Sequence, residues 1–235
     1  MTLVEELQAL KIFLIDDMTT YGRGLANEFA RAIEQMNTEY GFRPDIELVG
    51  HESITQGDKD FTPLLTKIKQ LNPDAIYFAG MYPEGALLIK QRYDLQVPSV
   101  FMGGDGLFEA ALIQLATPDA AEGVYLTTLG GDIHAVPAAQ GFVRAYEARH
   151  GAVGAYSAYA YEAMHIVLWA IRRAGTHDRA AVLAAMRALK DYRGILGVHN
   201  FNDTGDTTNR IIGIFTVHDG GFQFVTQVDQ FPTQR

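Results

Sequence analysis

The stretch Lys11–Met36, KIFLIDDMTTYGRGLANEFARAIEQM, constrains the fold more than any other part of the chain. Ile12 to Ile15 form an apolar run that ends in Asp16 and Asp17, which reads as a buried strand. The loop Met18-Thr19-Thr20-Tyr21-Gly22-Arg23-Gly24 then turns the chain. Leu25, Phe29, Ala32, Ile33 and Met36 follow, three and four residues apart on one helical face. Strand, short loop and amphipathic helix make half of a βαβ unit, and such units build parallel sheets covered by helices.

The unit recurs. Strands are expected at Ile46–Val49, Ala75–Ala79, Ser99–Met102 and Val124–Thr128. Helices are expected at Phe61–Leu71, from the Gly80–Gly85 loop to Tyr93, and at Phe108–Leu115. Five strands thus alternate with four helices, and right-handed crossovers make parallel order the natural outcome. Three strand ends carry glycine-rich or aromatic loops: Tyr21-Gly22, Met81-Tyr82-Pro83 and Gly104-Asp105-Gly106. Ligands of such sheets collect at the carboxyl ends of the strands, so these loops are where function is sought.

Either side of this region the pattern differs. Residues 2–10 read as the end of a helix, with Leu3, Leu7 and Leu10 on one face. Beyond residue 131, helices are expected at Ala139–His150, Tyr156–Ala174 and Arg179–Leu189, with a glycine break at 151–154. Strands at Gly197–Asn202, Ile211–Val217 and Phe222–Val225 follow, the last two joined by the hairpin turn Asp219-Gly220-Gly221.

Charge and composition narrow the function classes. The chain has 28 acidic and 19 basic residues, a formal charge of −9 and no basic run longer than two, which argues against nucleic acid. With no cysteine, disulfides, thiolate catalysis and Cys-ligated metals are excluded. The histidines lack ligand spacing, and Glu162-Ala-Met-His165 is one ExxH without the second copy a di-iron site needs, so no metal is expected. Gly22-Arg23-Gly24 lacks the third glycine of a dinucleotide fingerprint, because position 27 is Asn27. No nucleophile elbow surrounds any serine. Neither a cofactor nor enzyme chemistry is expected.

Asp16, Tyr21, Tyr82 and Asp105 form the candidate constellation. Carboxylates at strand ends can receive an ammonium group, and tyrosines beside glycines can supply an apolar wall with a hydroxyl tip. The competing reading has Asp16 and Asp17 capping the next helix and both tyrosines serving as half-buried packing.

Taken together, the ordered segments IFLIDDMTTYGRGLANEF, TQGDKDFTPLLTKIK, DAIYFAGMYPEGALLIKQ, VFMGGDGL and AAEGVYLTT closely resemble the branched-chain amino acid binding proteins. These are the type I periplasmic solute-binding proteins of ABC importers. AYSAYAYEAMHIVLWAI and FNDTGDTTNRIIGIFTVHDGGF fit the same family, so the resemblance covers nearly the whole chain.

The resemblance implies an α/β fold, a parallel-sheet three-layer sandwich of the type I lobe, with an incomplete second lobe. Residues 1–153 and 210–235 would correspond to the C-terminal-type lobe, and 154–209 to a remnant of the N-terminal-type lobe. It also implies a ligand, leucine, isoleucine, valine or a related amino acid, and an ABC permease as partner. By position, Asp105 matches the acid that receives the α-ammonium, Tyr82 the tyrosine beside it, and Tyr21 the aromatic near the ligand side chain. Tyr156, Tyr159 and Tyr161 fall near the expected hinge.

The sequence departs from the family in starting where the second lobe's first helix would already be running. A truncated solute-binding component with weakened ligand binding is therefore expected. Family members work in the periplasm, whereas this chain shows no signal peptide and, expressed as written, would stay in the cytoplasm. Met164, Ile166, Val167, Leu168, Trp169 and Ile171 are expected to leave an apolar patch, which suggests a homodimer through residues 156–189. The alternative is a sensory, regulatory or self-associating lobe of the same fold.

Overall fold

Ile12, Phe13, Leu14 and Ile15 are all fully buried, which requires cover on both faces of their strand. In the computed structural model, which describes residues 7, 9–39 and 45–229, that strand is β1 (Lys11–Asp16). Its parallel neighbours are β2 (Glu47–Ser53) and β3 (Ala75–Ala79). β4 (Val100–Gly103) pairs parallel with β3, and β5 (Tyr125–Leu129) parallel with β4. β8 (Ile211–His218) and β9 (Gly221–Asp229) complete a seven-stranded sheet of order β2-β1-β3-β4-β5-β8-β9. β8 and β9 form the expected hairpin. Asp219 and Gly220 supply the two positive φ angles, 50° and 71°, that a tight turn of this hand needs.

Side-chain alternation assigns the two faces. Phe13, Ile15, Ile76, Phe78 and Phe101 enter one core with residues of α2 (Thr62–Leu71), α3 (Tyr82–Asp94), α4 (Ala110–Ala116) and α5 (Pro118–Ala121). On the other face α1 (Thr20–Thr38) packs Phe29 on Tyr77, with ring centroids 4.0 Å apart. The result is the expected three-layer α/β arrangement.

Two expectations shift at the loops. Tyr21 to Gly24 belong to α1 itself and not to the preceding loop, since Thr19 caps the helix by accepting from the Gly22 amide. Likewise Tyr82-Pro83-Glu84 open α3, with proline where its missing amide costs nothing. Ala32, expected on the buried face of α1, is exposed, and Gly22, Ala26 and Ile33 are buried instead. Of the expected helix at 2–10, Leu7 is helical and Ala9 and Leu10 lie outside any helix; the rest falls outside the described residues.

The chain forms two compact units, 1–127 with 214–225, and 128–213 with 226–235. Within the second unit α6 (Gln140–His150) meets α7 (Ser157–Ala174): Phe142 packs on Tyr161 at 4.8 Å, and Ser157 Oγ donates to Tyr146 Oη at 3.0 Å. α8 (Arg179–Arg187) follows α7, and the short hairpin of β6 (Tyr192–Gly194) and β7 (Gly197–His199) comes next. β6 has no alternating pattern in the sequence and was not expected. Buried Glu162 holds this hairpin by accepting from the Ile195 amide at 3.0 Å. Of the apolar residues expected to be exposed on α7, Ile166 is buried, Val167, Trp169 and Ile171 are half-buried, and only Met164 and Leu168 are exposed. Among the described residues, no helix is long and apolar enough to cross a membrane.

Two glycines in one helix should respond oppositely to alanine. A Cβ at Gly22 would lie 2.1 Å from Asp17 Oδ1 and 2.5 Å from the Ala79 carbonyl oxygen, whereas nothing lies within 4 Å of one at Gly24. Gly24→Ala is expected to stabilise by about 0.5–1 kcal/mol. Gly22→Ala should destabilise by about 1–3 kcal/mol despite the same gain in helix propensity. Urea unfolding of the two variants checks this pair of signs.

Candidate functional site

The carboxyl ends of β1, β3 and β4 lie side by side, with Asp16 in register with Ala79 and Phe78 with Gly103. The chain leaves β1 for β2 on one side, then returns to β3 on the other side of β1. β1 and β3 therefore flank a topological switch point, where diverging connections open a crevice at the strand ends.

Tyr21 and Asp105 are brought together there. Tyr21 sits in the first turn of α1, and Asp105 opens a 3-10 turn, Asp105–Leu107, just beyond β4. Tyr21 Oη donates to Asp105 Oδ1 at 2.7 Å and accepts from the Gly106 amide at 3.3 Å. Burial, and then the carboxylate of Asp105 that accepts its proton, push the Tyr21 hydroxyl well above the usual tyrosine range. It is a fixed, neutral donor. Burial, and then the charge of Asp105, raise Tyr77 in the same direction.

Tyr82 occupies the first turn of α3, half-buried against the hydrophobic core. Its segment adjoins the pair through the main chain: a Cβ at Gly106 would lie 2.5 Å from the Gly80 carbonyl oxygen and 3.0 Å from Met81 Sδ. The three expected residues thus stand on three neighbouring strand ends. Two share a hydrogen bond, and the two residues before the third, Gly80 and Met81, lie against Gly106 beside them.

Asp16 does not join them. Its buried carboxylate accepts from the Met18 amide and the Ser53 hydroxyl, each at 2.8 Å, and contacts His51 Nε2 at 2.8 Å. Burial raises this carboxyl, but the bonds from Ser53, Met18 and His51 outweigh burial and hold it below the usual carboxylate value. Asp17 supports the helix cap one step removed, because its Oδ1 accepts from both the amide and the hydroxyl of Thr19. Thr19, the residue that caps α1, carries a recognisable sequence signal, a threonine just before a helical pattern. The glycines at 22 and 24 masked it.

The second unit places its tyrosines differently. Tyr159 Oη donates to the Leu129 carbonyl, Tyr161 packs at a tilt against both Phe142 and His165, and Tyr156 is exposed. His165 and Glu162 serve different neighbours: His165 packs on the exposed ring of Tyr161, and buried Glu162 accepts from the hairpin at Ile195. A groove of about 680 Å³ between α7 and α8 is lined by Trp169, Arg173, Ala181, Ala185 and Lys190 among others. Among the described residues no acidic side chain lines it, so it holds no carboxylate to pair with an ammonium group.

A family model described as periplasmic binding protein matches residues 1–221. The chain is 32% identical over 218 residues to Leu/Ile/Val-binding protein homolog 3 of Brucella melitensis, covering 92% of this chain and 56% of that protein. It is 31% identical over 206 residues to Leu/Ile/Val-binding protein BraC3 of Rhizobium johnstonii, covering 87% and 53%. The leucine binding protein LivK of Thermotoga maritima superposes with a TM-score of 0.84 at 29% identity, covering 97% of this chain and 63% of that one. The branched-chain amino acid transporter substrate binding protein LivJ of Streptococcus pneumoniae, solved with isoleucine, gives 0.83 at 25%, covering 97% and 62%. The chain thus spans about half the length of the curated relatives it matches.

The Asp16 network makes a testable contribution to stability. A carboxyl whose folded value lies below its unfolded one stabilises above the unfolded value, and this is lost as pH falls through the folded value. Wild-type stability should therefore fall on acidification below about pH 4. Asp16→Ala should cost about 2–3 kcal/mol at neutral pH and flatten that acid limb. Urea unfolding across the acid range measures both.

Proposed function

The chain belongs to the periplasmic binding protein family, a family of solute-binding proteins rather than enzymes, and from that premise we propose that it serves an ABC importer by binding leucine, isoleucine, valine or a related amino acid. The observation that carries this reading is the Tyr21–Asp105 pair at the switch point of the sheet. In this reading Asp105 receives the α-ammonium, Tyr82 flanks it, and Tyr21 lies near the ligand's side chain. A charged hydrogen bond of that kind contributes about 1.5–3 kcal/mol once shielded from water.

The relatives named Leu/Ile/Val-binding proteins support the ligand class. The permease partner and a working place in the periplasm follow from the same reading. Residues 1–153 with 210–235 correspond to the C-terminal-type lobe and 154–209 to part of the other lobe, a correspondence of ancestry and not of compactness. In this reading these 235 residues, taken by themselves, offer the ligand one wall, and they bind it weakly. Full enclosure of a small ligand buries most of its surface, and each tenfold loss costs about 1.4 kcal/mol.

Leucine titrated into the 235-residue chain is expected to bind no tighter than about millimolar, and a micromolar constant by calorimetry contradicts the weakening. Asp105→Asn should reduce the leucine response, followed by NMR, at least about tenfold; an unchanged response contradicts the ammonium role. For partners, exposed Tyr161, Met164 and Leu168 on α7 and Leu183 on α8 support self-association through residues 156–189. Light scattering at tens of micromolar is expected to show a dimer, and a monomeric mass contradicts it.

A further inference from the structure

We infer that Asp17 is a positioning residue for the ligand wall, acting through Thr19 to fix the first turn of α1 and with it the Tyr21 hydroxyl against Asp105. The inference rests on the reading of that wall as the amino acid site.

Asp17 is 2% exposed, and its groups reach the ends of both strands that flank the switch point. Its amide donates to the Ala79 carbonyl at 3.2 Å, tying the end of β1 to the end of β3, from which the segment to Tyr82 departs. Its Oδ1 accepts from the Thr19 amide at 3.0 Å and the Thr19 hydroxyl at 2.6 Å. A hydroxyl has one proton, so giving it to Asp17 directs a lone pair of Thr19 Oγ1 elsewhere. That lone pair accepts the Gly22 amide at 2.9 Å. Gly22 is held between these groups, since even a methyl there would meet Asp17 Oδ1 and the Ala79 carbonyl. Tyr21 is therefore carried on a turn closed on both sides, at Thr19 and at Gly22.

Capping alone does not explain Asp17. Thr19 already supplies the cap, and a second acid behind it is an expense for the fold, because Asp17 Oδ2 is buried with no hydrogen-bond partner among the described residues. An unpaired buried carboxylate oxygen is costly, and such groups call for a reason beyond local structure. The relay gives one. Locking the Thr19 hydroxyl rotor removes the freedom by which the first turn could tilt, and a tilt is magnified at the tip of the long Tyr21 side chain. Tyr21 Oη must meet two partners at once, Asp105 Oδ1 and the Gly106 amide, so its position tolerates little error.

The test uses the full chain labelled with tyrosine carrying 13C at Cζ, the Tyr21 signal being assigned by its loss in Tyr21→Phe. Thr19→Val keeps the side-chain shape and breaks the relay. It is expected to move the Tyr21 signal toward its position in Asp105→Asn and to weaken leucine binding, titrated by NMR, by about tenfold. Thr19→Ser should restore both, and Asp17→Ala should lose both. A Thr19→Val protein with native circular dichroism, an unmoved Tyr21 signal and unchanged leucine affinity overturns the inference. A moved Tyr21 signal in a protein whose wild type ignores leucine supports the positioning and overturns the amino acid reading instead.

Discussion

Burial of β1 on both faces is the constraint on which the rest depends. With Ile12 to Ile15 all inaccessible to water, helices must lie above and below the strand: α1 covers one face, and α2 to α5 cover the other. Once the chain goes from β1 to β2 on one side and to β3 on the other, a crevice at their carboxyl ends is unavoidable. The same apolar run that drives folding thus decides where a ligand can be received.

Three aspartates near that rim have three different roles, and environment alone separates them. Asp16 is spent on Ser53, His51 and the Met18 amide, which stabilise its charge and remove it from ligand chemistry. Asp17 faces inward to the cap of α1. Asp105, half-buried at the end of β4, is the one whose carboxylate meets the hydroxyl of Tyr21. Its field also reaches the buried phenol of Tyr77. Of the three, Asp105 alone is left for the proposed ammonium site.

Much of the architecture was legible in the sequence because it rests on local periodicity. β3 falls where its apolar run falls, and the alternation of strands with helices dictated the parallel order of β1 to β5. The difficulties arose where distant residues decide. Tyr21 to Gly24 looked like loop because two glycines weaken a helix, yet Gly22 is required by Asp17 and by Ala79, the latter 57 residues further on. Nothing near Asp16 in sequence reveals that Ser53 and His51 occupy it. No composition shift marks the aromatic packing between α6 and α7. Tyr21, Tyr82 and Asp105 stand out in the sequence as strand-end residues, and the resemblance gives them roles; that β1, β3 and β4 are immediate neighbours needs the strand order, which a sequence does not print.

The most direct measurement is an amide-resolved NMR map of the 235-residue chain with leucine added to saturation. The account predicts that the largest perturbations fall at Thr20–Arg23, Gly80–Tyr82 and Gly104–Leu107, the three carboxyl-end segments. Perturbations confined to the amino-end rim, where Asp74 binds the Lys11 amide, or to the groove of Trp169 and Lys190, would contradict it.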